Sequence, residues 1–192
     1  MSAPSRSTTD VIALLVEDHR EVERMFVDLE HTPRGDADTH RQKSAKVIAE
    51  LVRHSVAEEQ WLYPAVREIV PDGGQMADHE IEEHAEAEQT MKRLERTDPV
   101  THADAYMDNL HELISEIRHH VEDEEKDLFP KLSEHASTER LADLGAKVKS
   151  AKEKAPTRPH PSAPDQPPAN RLLDPGAGLV DRIRDALSHH TT

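Results

Sequence analysis

The 192-residue chain has no cysteine, which excludes disulfides, thiolate metal ligands and a cysteine nucleophile. Aromatic residues are scarce, at 3% of the chain. No stretch alternates apolar and polar residues as a half-buried strand does. The longest clean apolar run, VIALLV (11–16), is far too short to cross a bilayer. The opening MSAPSRSTTD has no apolar signal-peptide core behind it, so a cytoplasmic protein is expected. Positive charge is in deficit, with 24 Lys and Arg against 39 Asp and Glu. The resulting net charge of −15 argues against nucleic acid or an anionic membrane as a partner.

What the chain does have is aliphatic residues at helical spacing, divided by turn signals. The first such segment runs from about Thr9 to Glu30, with Thr8 or Thr9 as N-cap, and ends at HTPRGDAD. The second spans about Asp38 to Val70 and stops at PDGG, with Pro64 expected to end or kink it. The third covers Met76 to Arg96, and the fourth His102 to Leu132. These four predict an all-α fold, an up-down-up-down antiparallel four-helix bundle with a short fifth helix over 137–152. Residues 1–152 form the bundle domain in this reading, and 153–192 a proline-rich linker with a short amphipathic end, GLVDRIRDALS. Seven of the thirteen prolines fall between 156 and 175, so that stretch cannot be a regular helix. No function or partner for this tail can be read from it.

The apolar stripes carry an anomaly. Helix one presents Ile12, Leu15, His19, Val22, Phe26 and Leu29. Helix two presents Val47, Leu51, His54, Glu58, then Trp61 or Leu62, then Ala65. Helix three offers Ala77, Ile81, His84, Glu88 or Ala87, Met91 and Leu94; helix four offers Leu110, Leu113, Ile117, His120, Glu124 and Leu128. Every seam thus holds a histidine, and two hold His-x-x-x-Glu. The chain also repeats: RHSVAEEQWLYP (53–64) aligns with HHVEDEEKDLFP (119–130), and EDHREVERMFVDL (17–29) with EEHAEAEQTMKRL (82–94). The offset is 65 for His19 to His84 and 66 for both His54 to His120 and Glu58 to Glu124. Such matched offsets predict two helical hairpins about a pseudo-twofold axis.

One histidine on an apolar stripe is ordinarily a hydrogen-bonded core residue. Four of them, one per helix, with two carboxylates at duplicated spacing, form a different pattern. Without a cation those carboxylates would crowd one low-dielectric core, where like charges resist ionisation. A metal site is the better explanation. Imidazole with carboxylate suits iron, manganese or zinc, whereas magnesium and calcium prefer oxygen alone. Six ligands are too many for one tetrahedral zinc. Two metals bridged by Glu58 and Glu124, each taking two histidines, use all six, and iron is the expected metal.

These residues resemble the haemerythrin-like HHE cation-binding family over about 9–135. The likeness rests on His19, His54-x-x-x-Glu58, His84 and His120-x-x-x-Glu124, each pair followed by Leu-Tyr-Pro or Leu-Phe-Pro. It implies two iron ions in an oxo- or hydroxo-bridged centre that binds oxygen or reacts with peroxide or nitric oxide. Oxygen carriers of the family have a further histidine one turn before the third-helix ligand and an aspartate on the fourth helix. Here those positions hold Glu80 and Glu124. His79 is no substitute, because five residues place it roughly 140° round the helix from His84. The resemblance therefore implies a protein that senses or consumes a small oxidant more than one that carries oxygen. An alternative is an iron-binding or storage-like module whose metal state alters partner contacts. Glu23 and Glu88 are expected to lie outside the ligand set. Tyr63 is expected to pack at the bundle end, with gating the site or accepting a radical as the alternative, and His111, His119, His189 and His190 to lie on the surface.

Overall fold

The computed structural model describes residues 10–158, and every regular element among them is helical. Helix α1 (Val11–Glu30) is capped by Asp10, whose carboxylate accepts from the Ala13 N–H at 2.8 Å. Asp10 takes the role expected of Thr8 or Thr9, which lie outside the described residues. Its buried stripe is the expected one, except that Val11 replaces the partly buried Ile12.

Helix α2 (Ala37–Ala57) is followed without a break by a π-helical turn, Glu58–Leu62, and by α3 (Tyr63–Ile69). Of the two outcomes expected at Pro64, an end or a kink, the end does not occur: the helical run continues through it. Proline lacks an N–H, and its ring crowds the carbonyl four residues back. A π turn widens the ladder by one residue immediately before it, so the Tyr63 N–H reaches back five residues to the Glu58 carbonyl. The same device recurs in the second hairpin. There α5 (Ala103–Asp123) passes through a π turn, Glu124–Leu128, into α6 (Phe129–His135), with Pro130 in its first turn.

Between α3 and α4 (Gly73–Arg96) the chain reverses through Asp72, at a left-handed φ of 61°. Gly73 opens α4 three residues before the apolar pattern suggests. A Cβ there would sit 2.1 Å from the Val66 carbonyl oxygen, so only glycine permits so close an approach. Helix α7 (Thr138–Lys154), capped by Ser137, packs against α1, α2 and the first π turn. It ends two residues past the expected boundary at 152. The terminal segment 178–188 and His189 and His190 lie outside the described residues.

Apolar side chains form two clusters. One gathers Phe26, Leu29, Leu51, Met91, Leu94, Leu110 and Leu113; the other gathers Leu15, Leu62, Val66, Leu128, Leu132, Leu144 and Val148. Each fully buried leucine stabilises the fold by roughly 1.5–3 kcal/mol. Along α1, α2, α4 and α5 the histidines and glutamates fall between the segments that feed these clusters. The bundle therefore carries a polar layer between two apolar ones. No helix among the described residues is long and apolar enough to cross a membrane.

Candidate metal centre

All six expected ligands, His19, His54, Glu58, His84, His120 and Glu124, are buried, and the two glutamates are fully so. Their ligand atoms form two groups that share Glu58: His19, His54, Glu58 and Glu124, and Glu58, His84 and His120. Within each group these atoms lie within 4.8 Å of one another. Glu58 spans the groups, with Oε1 3.0 Å from His54 Nε2 and Oε2 3.5 Å from His84 Nε2. Glu124 Oε2 stands 3.3 Å from His19 Nε2 and 3.8 Å from His120 Nε2. The π turns explain how the glutamates get there. Each begins at the glutamate itself, one turn after its histidine, so both side chains point into the same layer.

The chemistry of this layer fits cations. Both oxygens of Glu58, Oε2 of Glu124 and Nε2 of His19 are buried without a hydrogen-bond partner, although other ligand atoms lie close. Unpartnered buried carboxylate oxygens cost several kcal/mol unless something positive satisfies them. A cation among converging imidazole and carboxylate lone pairs would do so, and the donor set suits first-row metals.

The histidines are also held from behind, by a ring of carboxylates that the apolar stripes do not reveal. His19 Nδ1 lies 3.0 Å from Glu125, and His54 Nδ1 3.5 Å from Asp18. His84 Nδ1 lies 3.2 Å from Glu59, and His120 Nδ1 3.0 Å from both Glu80 and Glu83. A carboxylate on the outer ring nitrogen fixes the imidazole's orientation and leaves the inner nitrogen for a metal. This outer ring obeys the repeat as well, since Asp18 and Glu83 are 65 apart and Glu59 and Glu125 are 66 apart. Glu59 of the first hairpin braces His84 of the second, and Glu125 of the second braces His19 of the first. The sequence signal was present in the doubled carboxylates at 58–59 and 124–125.

Two residues break the symmetry. Tyr63 is fully buried, and its hydroxyl donates to Glu124 Oε1 at 3.2 Å while standing 3.2 Å from His84 Nε2. It is therefore part of the site, contrary to the expectation of an aromatic that merely packs at the bundle end. Its counterpart, Phe129, stacks on His19 with ring centroids 5.8 Å apart. Glu80 has Leu15 as its counterpart by the offset of 65. Its carboxylate lies on the outer nitrogen of His120 and not among the inner ligand atoms. Glu23 pairs with Arg118 at the surface, and Glu88 lies buried beside Lys92; neither joins the clusters. His111 and His119 are exposed.

Electrostatics follow from this packing. Burial opposes charge on His54, but Glu58 and Asp18 outweigh it and hold its pKa up to about 9. His84 and His120 are raised in the same way, against burial, by Glu58 and Glu59 and by Glu124 and Glu80. Burial, with Glu124 next, keeps the Tyr63 hydroxyl well above its usual range, so it remains a proton donor. Burial also raises Glu80, despite His120. A cavity of about 20 Å³ is lined by the four imidazoles of His19, His54, His84 and His120 with Val22, Leu51, Ser55, Ile117 and Val121.

A sequence model of the Hemerythrin HHE cation binding domain matches residues 10–132. The chain belongs to this family, which makes it a cation-binding helical module. It is similar to an uncharacterised hemerythrin-like protein of Schizosaccharomyces pombe, at 26% identity over 184 residues, covering 95% of this chain and 89% of the relative. It is also similar to a DNA nickase of Nostoc, at 26% identity over 149 residues, 78% of this chain but 40% of that protein. No solved structure matches.

Proposed function

We propose that the chain is a non-haem di-iron protein that binds, senses or consumes a small oxidant, namely oxygen, hydrogen peroxide or nitric oxide. In this reading His19, His54, Glu58, His84, His120 and Glu124 would hold the two irons. The four long helices are taken as antiparallel, up-down-up-down, because short turns join α1 to α2 and α4 to α5.

The observation that carries the reading is the cavity. At about 20 Å³ it has room for one water-sized molecule, and all four imidazoles line it with Ser55 and the apolar Val22, Leu51, Ile117 and Val121. A space of that size favours a diatomic gas or peroxide over a larger organic substrate. Two bound irons would supply the redox chemistry with such a molecule. The chain's own part is to orient and protect. The outer carboxylates turn each Nε2 inward, and Val22, Leu51 and Ile117 keep bulk water away. Tyr63 holds a proton 3.2 Å from Glu124 on one half of the site, where the other half has only the phenyl ring of Phe129.

A second reading, a module whose metal state is passed to a partner, draws on one contact. Lys152 of α7 pairs with Asp18 at 2.5 Å, and Asp18 braces His54. These two contacts link His54 to α7 through Asp18. DNA nicking is not carried over from the Nostoc relative, because a net charge of −15 repels a phosphate backbone.

Stopped-flow mixing of the reduced, iron-loaded protein with oxygen, alongside peroxide-decay assays, tests the lead reading. Rapid oxidation and peroxide consumption are expected, both slowed in Tyr63→Phe at unchanged iron content. Reversible oxygen uptake with no peroxide consumption would make the protein a carrier instead.

A further inference from the structure

The spacing of histidine and carboxylate one turn apart recurs on the outer face of α4 and α5. His79 and Glu83 lie on the first of these helices, His119 and Asp123 on the second. The two helices pack together; His79, Glu83 and Asp123 offer ligand atoms within 4.8 Å of one another, and His119 reaches the same two carboxylates from the neighbouring turn. His79 Nε2 lies 3.7 Å from Glu83 Oε1 and 3.6 Å from Asp123 Oδ2. His119 Nε2 lies 3.7 Å from each of the same two oxygens. All four separations are longer than a hydrogen bond. Ligands about 2.0–2.1 Å from a tetrahedral metal are about 3.4 Å apart, close to the spacing seen here.

We propose that His79, Glu83, His119 and Asp123 form a surface site for one divalent first-row cation, distinct from the buried centre. Two imidazoles with two carboxylates suit zinc by ligand type and coordination number, whereas magnesium and calcium prefer oxygen alone. Both histidines are mostly exposed, with side chains 56% and 65% accessible, so they can close on an ion with little rearrangement and meet it directly from solvent. Glu83 gives the site its place in the molecule. While Oε1 faces the surface imidazoles, Oε2 lies 3.0 Å from Nδ1 of His120. A cation outside and the ligand histidine inside therefore share one carboxylate.

The test is a calorimetric titration of the iron-loaded, full-length protein with zinc chloride, run beside the double variant His119→Gln/Asp123→Asn. Neither substituted side chain touches the buried ligands in the contacts described above. One saturable zinc equivalent of micromolar affinity or tighter is expected for the wild type. The double variant should bind at least about tenfold more weakly, and both proteins should retain the same iron. Equal isotherms for the two proteins would mean that zinc binds elsewhere and would overturn the proposal, as would the absence of a saturable equivalent in the wild type. Iron release matching the zinc taken up would also overturn it, by placing zinc in the buried centre. The comparison between wild type and variant reads the surface site whether or not the buried cluster holds iron, so failure here is separate from failure of the di-iron reading.

Discussion

His54 shows how the polar layer is balanced at a single side chain. Its folded pKa of about 9 lies above the ordinary 6.5, so in the metal-free protein it keeps its proton at neutral pH, and a cation must displace that proton to bind. A raised folded pKa contributes stability that is complete below about pH 6.5 and is lost as pH rises through about 9. Glu58 acts in the opposite sense. Burial would raise it, but His54 and His84 hold it well below its usual range, so its contribution is lost as pH falls. The metal-free protein is therefore expected to lose thermal stability between about pH 6.5 and 9. A melting temperature that rises over that interval would contradict this balance. The loaded protein should instead release metal on acidification, as protons compete for the imidazoles. The outer carboxylates are testable in the same way. Glu59→Gln and Glu125→Gln should each weaken iron binding about 10–100-fold in chelator competition, whereas Glu23→Gln, which loses only Arg118, should not. The six inner candidates could be picked out in the sequence because they interrupt apolar stripes. The outer ones were not, because Asp18, Glu59, Glu83 and Glu125 sit beside ligands and look like solvated charges. Tyr63 was misjudged for a related reason, since its ring does pack in the core and only its hydroxyl reaches the site.

The helices show which local rules the tertiary structure respects. Four long segments could be traced from periodicity because each must bury one stripe. Pro64 was expected to end or kink its helix, since a proline in a helical pattern is normally a stop. Here Pro64 and Pro130 each follow a π turn that begins at a buried glutamate, and the repeat of Glu, Leu, aromatic and Pro encodes that turn twice. The turn into α4 was legible as a break, but its tightness was not, because the contact between Gly73 and the Val66 carbonyl is made across two helices. Gly73→Ala should lower stability by roughly 1–3 kcal/mol, read as a fall in the denaturation midpoint. An unchanged midpoint would mean that the α3–α4 contact is looser than the 2.1 Å clash implies.

Over the whole molecule the two hairpins are joined by more than packing. Each hairpin supplies half of the inner ligands and a carboxylate that braces a histidine of the other. Neither half of the site is complete alone. Helix α7 extends the account beyond the four helices: it covers the first π turn and places Lys152 on Asp18. Truncation after Arg158 should leave metal binding intact, whereas truncation before Thr138 should weaken it and lower the melting temperature. Equal iron content in both truncated proteins would show that α7 has no part in the site. The claim beneath all of this is that six side chains hold two metals in one layer. Iron per folded chain, measured after removal of loosely bound metal, tests it most directly. Two irons are expected in the wild type, with marked loss in His54→Ala and Glu124→Ala and none in His111→Ala. An absence of iron from the wild type, or equal iron in all four proteins, would contradict the account.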